Sequence, residues 1–521
     1  MHKSVYKLGL FSITLITLFV VSTSYAFDPR YHTYGQMVDE MVYISVNYPN
    51  ITRLHTLGYS TGFNLPILAM KVSDNPQIQE DEPRILYNGV HHACEIIGVE
   101  ICLAMLWDLV TKYGTDSFVT NSVNNSEIWI VPIVNPDGHY ITRSLIDTLW
   151  RKNCRDNNLN GYWDSGDGVD LNRNYDFLWG LGGSPDPSHR EYRGPYPFSE
   201  NEARAIRDLA QRERFIFDIC YHSHRQWEYG EAVYYPWRWG NAPAPDFNHI
   251  RTIAESIALR IPSEIGAGYT YSPIFGRATE GGLTRNWLYH AIGTFAYTIE
   301  VSRWYYPDPN LIDSLCARNI RGAYYLLERM FQHQITGHVI DSVTGQPLVA
   351  EIRILEAYAS PDTIQPRLSD SLYGRFYRIL SPGNYTVQVI KPGYFTKTYY
   401  NLPVIANQIT YLPVQLQAGS VILEDNQSMN LNLNTIEIPT FAGKTQAVNF
   451  NLAQPSHVKV KIYAKTGELV KNLIDQKLTS GSHSYQWHQT DNNGRQVAKG
   501  VYFVHFQFDQ TNQTRKIIIT N

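Results

Sequence analysis

Four short runs of the chain are apolar almost from end to end, and they restrict its fold more than any other feature. They lie at residues 85–90, 128–133, 215–219 and 294–300, and segments with helical periodicity separate them. A strand with one wet face alternates polar and apolar residues, whereas a strand covered on both faces stays apolar. The pattern therefore predicts an α/β unit over residues 27–334, with its sheet buried between helices.

Beyond residue 332 the texture changes. Ile335-Thr-Gly-His-Val-Ile-Asp and Pro382-Gly-Asn-Tyr-Thr-Val-Gln-Val-Ile390 alternate with period two and carry Gly, Pro and Asn at the turns, so residues 335–418 are expected to form a small β-sandwich. A polar stretch, 419–440, reads as a linker. Residues 441–521 form a second all-β unit, marked by Val458-Lys-Val-Lys-Ile-Tyr463 and Gly500-Val-Tyr-Phe-Val-His-Phe506. A length of 521 residues agrees with several units, because single cores stop growing well short of it.

The first residues place Lys3 and Lys7 before an apolar stretch, residues 8–21, and end on Ser24-Tyr25-Ala26. That is the layout of a secretory signal peptide, 1–26, cleaved after Ala26. The stretch falls short of the roughly 20 apolar residues a membrane span needs, and no other segment reaches that length. A secreted, extracellular or cell-surface location follows. Against 48 acidic residues the chain sets 44 Lys and Arg, for a net charge of −4, and no dense basic run appears, so nucleic acid is excluded as a partner. Five cysteines, at 94, 102, 154, 220 and 316, are an odd number, so at least one thiol is expected to be free.

The chemistry is concentrated where apolar runs end. His92 and Glu95 stand three residues apart, just after the first run and at the opening of a helical segment, close enough to converge on one ion. His222 follows the end of another run, and α/β sheets place ligand sites at the carboxyl ends of their strands. Two imidazoles and one carboxylate leave zinc a fourth position for water, which is the pattern of a catalytic site.

Six ordered motifs carry a family resemblance. They are Gly89-Val-His-His-Ala-Cys-Glu95, Asn135-Pro-Asp-Gly138, Trp150-Arg-Lys-Asn153, Gly168-Val-Asp-Leu-Asn-Arg-Asn174, His222-Ser223 and Tyr297-Thr-Ile-Glu300. In these the chain resembles the zinc metallocarboxypeptidases of the funnelin family. The resemblance implies a mixed central sheet flanked by helices and hydrolysis at the C-termini of peptides or proteins. It assigns zinc to His92, Glu95 and His222, the general base to Glu300 and oxyanion stabilisation to Arg151. Asn172 and Arg173 are assigned to the substrate's terminal carboxylate, and Ser223 is placed with the substrate-binding residues.

One departure and two further sites follow. The family's mobile tyrosine has Phe275 or Arg277 in its place, with Tyr271 and Tyr289 as possible substitutes. Arg285 matches the floor of the pocket for the terminal side chain, where a cation would favour acidic residues. Asp156, Asn158, Asn160, Asp164 and Asp167 fall at calcium-loop positions around a central Gly161, which makes Ca2+ a second candidate ion. Residues 335–418 resemble the transthyretin-like domain that follows the catalytic unit in regulatory carboxypeptidases. Residues 441–521 resemble Ig-like terminal modules of exported bacterial proteins, which implies surface or secretion-system attachment. Two other readings stay open: a peptidase of peptidoglycan stem peptides, and an inactive binding protein that keeps the fold.

Overall fold

The computed structural model describes residues 27–223, 230–239, 242–277, 280–357, 364–419, 435–437, 441–442, 445–452, 455–508 and 511–519. The expected signal peptide, Ala26 included, lies outside these residues, as does most of the expected linker. Among the described residues no helix is long and apolar enough to cross a membrane. The chain divides into two compact units, one up to Ser420 and one from Val421 onward.

An eight-stranded mixed sheet forms the centre of the first unit. Its strands are β1 (Thr52–Tyr59), β2 (Pro66–Val72), β3 (Arg84–Gly89), β4 (Glu127–Val131), β5 (Phe217–His222), β6 (Ala232–Tyr235), β7 (Ser272–Phe275) and β8 (Phe295–Glu300), in the spatial order β1-β2-β4-β3-β5-β8-β6-β7. The middle strands β4, β3, β5 and β8 run parallel to one another, and β2 and β6 flank them antiparallel. Every residue of β3, β4 and β5 is buried, so both faces of the sheet are covered, as continuous apolar runs require. Helices α1 (Tyr34–Asn47), α2 (Ile97–Lys112), α3 (Pro136–Arg143), α4 (Asn201–Glu213), α5 (Phe247–Arg260) and α6 (Ile312–Arg329) supply the cover. Acidic Glu100 in the first turn of α2 and Lys112 in its last suit the helix dipole. Helix α6 packs on both α2 and α5.

Residues after the eight-stranded sheet build a sandwich within the same unit. Gln334–Asp341 pairs with Arg375–Ile379, Ile409–Tyr411 and Val414–Leu416, while Gly383–Ile390 pairs with Glu351–Ile354 and Lys397–Val404. Ile335, Val339, Ile352, Val387 and Val389 fill the space between the two sheets. Polar clamps tie this sandwich to the α/β layer. Asp81 accepts Nε and Nη2 of Arg375 at 2.7 and 2.6 Å and faces His338 at 2.6 Å. The buried guanidinium of Arg329, from α6, donates to the Leu380 carbonyl at 2.9 Å.

The second unit holds a five-stranded sheet, built on Ser456–Ala464, Leu469–Leu478, Gly500–Phe508 and Thr511–Ile519, and a three-stranded one. Thr435–Glu437, inside the expected linker, is a strand that pairs with Gln446–Leu452. The unit therefore begins earlier than residue 441, because three alternating residues are too few to stand out in a polar stretch. Ser456–Ala464 buries Ser456, Val458, Val460 and Ile462 and leaves the intervening residues less covered, which gives the alternation of a sheet with one wet face.

Candidate metal centre

The site lies at the carboxyl ends of β3, β5 and β8. Strand β3 ends at Gly89, and Val90 takes a left-handed φ of 57°. For a β-branched residue that conformation is strained, and it turns the chain sharply into His91 and His92. Asn135 holds this turn from the side. Its Oδ1 caps α3 by accepting from the Gly138 amide at 2.9 Å, and its Nδ2 donates to the carbonyls of His91 and Lys152 at 3.3 and 3.1 Å. The Asn135 motif thus fixes the loops that carry His92 and Arg151 relative to one another.

Three side chains, all nearly inaccessible to solvent, converge here. Glu95 Oε1 lies 2.8 Å from His92 Nδ1, and Glu95 Oε2 lies 2.7 Å from His222 Nδ1. The two Nδ1 atoms are 3.0 Å apart. Burial alone would raise the Glu95 carboxyl, but the imidazoles of His92 and His222 hold it below the usual carboxylate range. Burial lowers the His222 imidazole to about 4, against the pull of Glu95. A carboxylate and two imidazole nitrogens that share one point, with too few hydrogens to separate them, fit a divalent cation.

A second set, His91, Cys220 and His222, also lies within ligating range. It fits a cation less well. A coordinating thiol must lose its proton, and burial pushes the Cys220 thiol well above its ordinary range. Burial together with the neighbouring His222 and His92 likewise lowers His91 well below the ordinary histidine value.

Asp170 stands behind the first set. Its Oδ1 is 3.3 Å from His92 Nε2, and its Oδ2 accepts from Arg151 Nε at 2.8 Å. Burial works against its charge, yet Arg151 and His92 hold it well below the ordinary carboxylate range. A carboxylate on the far nitrogen of a metal-binding histidine fixes the ring and raises its basicity. Arg151 Nη1 reaches to 3.8 Å from Glu95, so the guanidinium sits beside the converging donors. Asp170 falls inside one of the six motifs, but its partners lie far away in sequence and no spacing rule discloses them.

Glu300 is the last residue of β8, beside His222, the last residue of β5, in parallel register. Adjacent strands lie about 4.8 Å apart, so Glu300 stands next to His222. The Ser223 amide donates to Glu95 Oε2 at 3.2 Å, and its hydroxyl faces the Tyr305 carbonyl at 3.4 Å. Tyr305 in turn meets Arg190, whose Nη2 donates to its hydroxyl at 2.7 Å. Sequence reasoning singled out neither residue of this pair.

Asn172 Oδ1 accepts from the Thr284 amide and hydroxyl at 3.0 and 3.1 Å. Gly282 makes this contact possible: it has a φ of 73°, and a Cβ there would collide with the Arg173 backbone. Arg173 Nη2 pairs with the half-exposed Glu191 at 3.0 Å. Arg285 is buried, ion-paired with Glu280 at 2.7 Å, and lies over the ring of Tyr234.

One expectation fails. Tyr271 and Tyr289 do not replace the mobile tyrosine, because both are buried and anchored. The Tyr271 hydroxyl donates to the Val301 carbonyl at 2.9 Å, and that of Tyr289 donates to Asp246 at 2.8 Å. Phe275 is partly exposed at the end of β7. The Asp156–Asp167 segment, in turn, is closed by its own bonds. Asp164 Oδ2 accepts the amides of Asn158 and Asn160 at 2.8 and 3.0 Å, and Asp167 accepts the backbone of Asn157 and Asp164. All five cysteines are buried and free.

Both units have counterparts among known proteins. A FlgD Ig-like domain profile matches residues 434–511. A zinc carboxypeptidase of Saccharothrix mutabilis subsp. capreolus is 29% identical over 56% of this chain and 67% of its own length. An inactive metallocarboxypeptidase, ecm14, of Sclerotinia sclerotiorum is 27% identical over 56% of this chain and 52% of its own. The chain thus spans between half and two thirds of the length of these curated relatives. The crystal structure of carboxypeptidase A from Helicoverpa armigera shares the fold, with a TM-score of 0.50 and 23% identity over 57% of this chain and 73% of that one. The zinc carboxypeptidase profile covers residues 37–322, more than half of the sequence, and the chain belongs to that family.

Proposed function

We propose that the chain is an exported zinc carboxypeptidase that removes C-terminal residues from peptides through a metal-activated water. The observation that carries the reading is the convergence of His92, Glu95 and His222 at the strand ends, with Glu300 in register beside them. Bound zinc would supply a Lewis acid and bring its water's pKa to about 7.

The chain's own groups supply the rest. Glu300 takes the proton from the water and passes it to the leaving amine, as a positioned carboxylate does in general acid–base catalysis. Arg151 keeps its charge, since Asp170 and Glu95 outweigh the cost of burial, and its donors face the developing oxyanion. Asn172 and Arg173 hold the free carboxylate of the substrate, which confines cleavage to the chain end. Ser223 contributes to the substrate cleft. Arg285 forms the floor of the pocket and favours acidic terminal residues, with its charge moderated by Glu280.

A binding protein without activity is the competing reading, and one relative is named inactive. Both histidines, both glutamates and Arg151 are present here, although a chain relieved of catalysis is free to lose any of them. Export rests on residues 1–26, and attachment to a surface on the terminal unit. A calcium ion in the loop from Asp156 to Asp167 would require its amides to give up Asp164.

The deciding experiment measures hydrolysis of blocked dipeptides ending in Glu, Phe and Lys, with and without a zinc chelator. Turnover that survives complete metal removal overturns the chemistry, and a clear preference for Phe or Lys overturns the role of Arg285.

A further inference from the structure

A line of buried hydrogen bonds leaves the metal centre from His222. His222 Nε2 lies 3.2 Å from Cys220 Sγ, which lies 3.2 Å from His91 Nδ1. His91 Nε2 is 3.1 Å from the hydroxyls of both Thr284 and Tyr175, and Thr284 Oγ1 reaches Asn172 Oδ1 at 3.1 Å. His91, Cys220, His222 and Thr284 are each at most 1% exposed, and Asn172 is 5% exposed, so water does not compete along the line.

We propose that Cys220, His91 and Thr284 are positioning residues that couple the orientation of the metal ligand His222 to that of Asn172, the carboxylate-gripping amide. The inference rests on the roles of His222 and Asn172 given above. Its basis is polarity. If His222 Nδ1 serves as a ligand of the cation in the proposed function, the neutral ring carries its hydrogen on Nε2 and donates it to the Cys220 sulfur. The Cys220 S–H then donates to His91 Nδ1. A neutral imidazole has one hydrogen, so His91 donates from Nε2, where the Thr284 and Tyr175 hydroxyls share it. The Thr284 hydroxyl keeps its own hydrogen for Asn172 Oδ1. With Oδ1 occupied by both the hydroxyl and the amide of Thr284, the donor half of Asn172, Nδ2, is left for a carboxylate. Reversing the tautomer of His91 would break this order, because the Thr284 hydroxyl would then donate to His91 and lose its hold on Asn172.

The test separates coupling from ordinary packing by acting at the end distant from the metal. Thr284 does not touch a metal ligand, so Thr284→Val is compared with Thr284→Ser, and Cys220→Ala with the wild type. Each protein is assayed for zinc affinity by chelator competition, for the visible spectrum of the cobalt(II)-substituted form, and for KM and kcat on a substrate with a free C-terminal carboxylate. Thr284→Val is expected to raise KM roughly tenfold and also to shift the cobalt spectrum and weaken zinc several-fold, the scale typical of outer partners of metal ligands. Thr284→Ser is expected to restore all three. Cys220→Ala should weaken zinc and raise KM together. A Thr284→Val enzyme with changed KM but wild-type spectrum and zinc affinity overturns the coupling, as does a Cys220→Ala enzyme altered only in metal binding. A wild-type protein that binds neither zinc nor cobalt overturns the metal reading itself, and the coupling with it.

Discussion

Glu300 and His222 end adjacent parallel strands at the same height, so one backbone ladder sets the spacing between the proposed base and a proposed metal ligand. Replacing the carboxylate by an isosteric amide should therefore leave the architecture intact and remove the proton acceptor. Glu300→Gln is expected to lower kcat by roughly 10²- to 10⁴-fold while zinc content stays at the wild-type level. Steady-state kinetics with metal analysis on the same preparation checks both halves.

Asp170 serves two masters, His92 and Arg151, and is buried with both. Asp170→Asn keeps the shape but withdraws the charge from each. Zinc affinity should fall roughly 10- to 100-fold, and kcat should drop further than Glu300-independent metal loss explains, because Arg151 loses its anchor. Activity measured at saturating zinc isolates the second effect; full recovery there would assign Asp170 to the metal alone.

Glu280 lies 2.7 Å from the Arg285 guanidinium and shares its charge. Glu280→Gln should strengthen the preference for a substrate ending in Glu over one ending in Phe, and Arg285→Met should reverse it. The ratio of kcat/KM values for the two substrates reads the change directly. A ratio unmoved by either variant would place the terminal side chain elsewhere.

His32 ties the start of the catalytic unit to two helices, with Nδ1 2.6 Å from Glu100 on α2 and Nε2 2.8 Å from Glu40 on α1. Its bonds to Glu100 and then Glu40 raise the imidazole from 6.5 to about 10. A folded-state value above the unfolded one means that the charged ring stabilises. The contribution is complete below pH 6.5 and disappears as pH rises through about 10. After allowance for partial exposure it is on the order of 2 kcal/mol. The Tm of the wild type should decline over that window by a few degrees more than the Tm of His32→Gln.

The sheet and the ends of the strands that carry the proposed metal ligands were legible in the sequence because they obey local rules. Apolar runs mark strands covered on both faces, and His92, Glu95 and His222 fall where such runs stop. The failures share a cause as well. Tyr271 and Tyr289 looked available because composition cannot tell which side of a short strand or irregular helical turn faces inward, and both proved to hold buried hydrogen bonds. His91 reads as a mere neighbour of His92 until the fold sets Cys220 and Thr284 against its two nitrogens. Asp170 likewise acquires its meaning from Arg151 and His92, which only the folded chain brings to it.

The clamps between the sandwich and the α/β layer carry a practical lesson about where this enzyme can be shortened. Cutting after residue 334 would strand the Arg329 guanidinium without the Leu380 carbonyl and expose Asp81 stripped of Arg375 and His338. An orphaned buried cation is costly. A trimmed enzyme meant for crystallisation or assay should therefore stop near Ser420, keeping the sandwich as a brace.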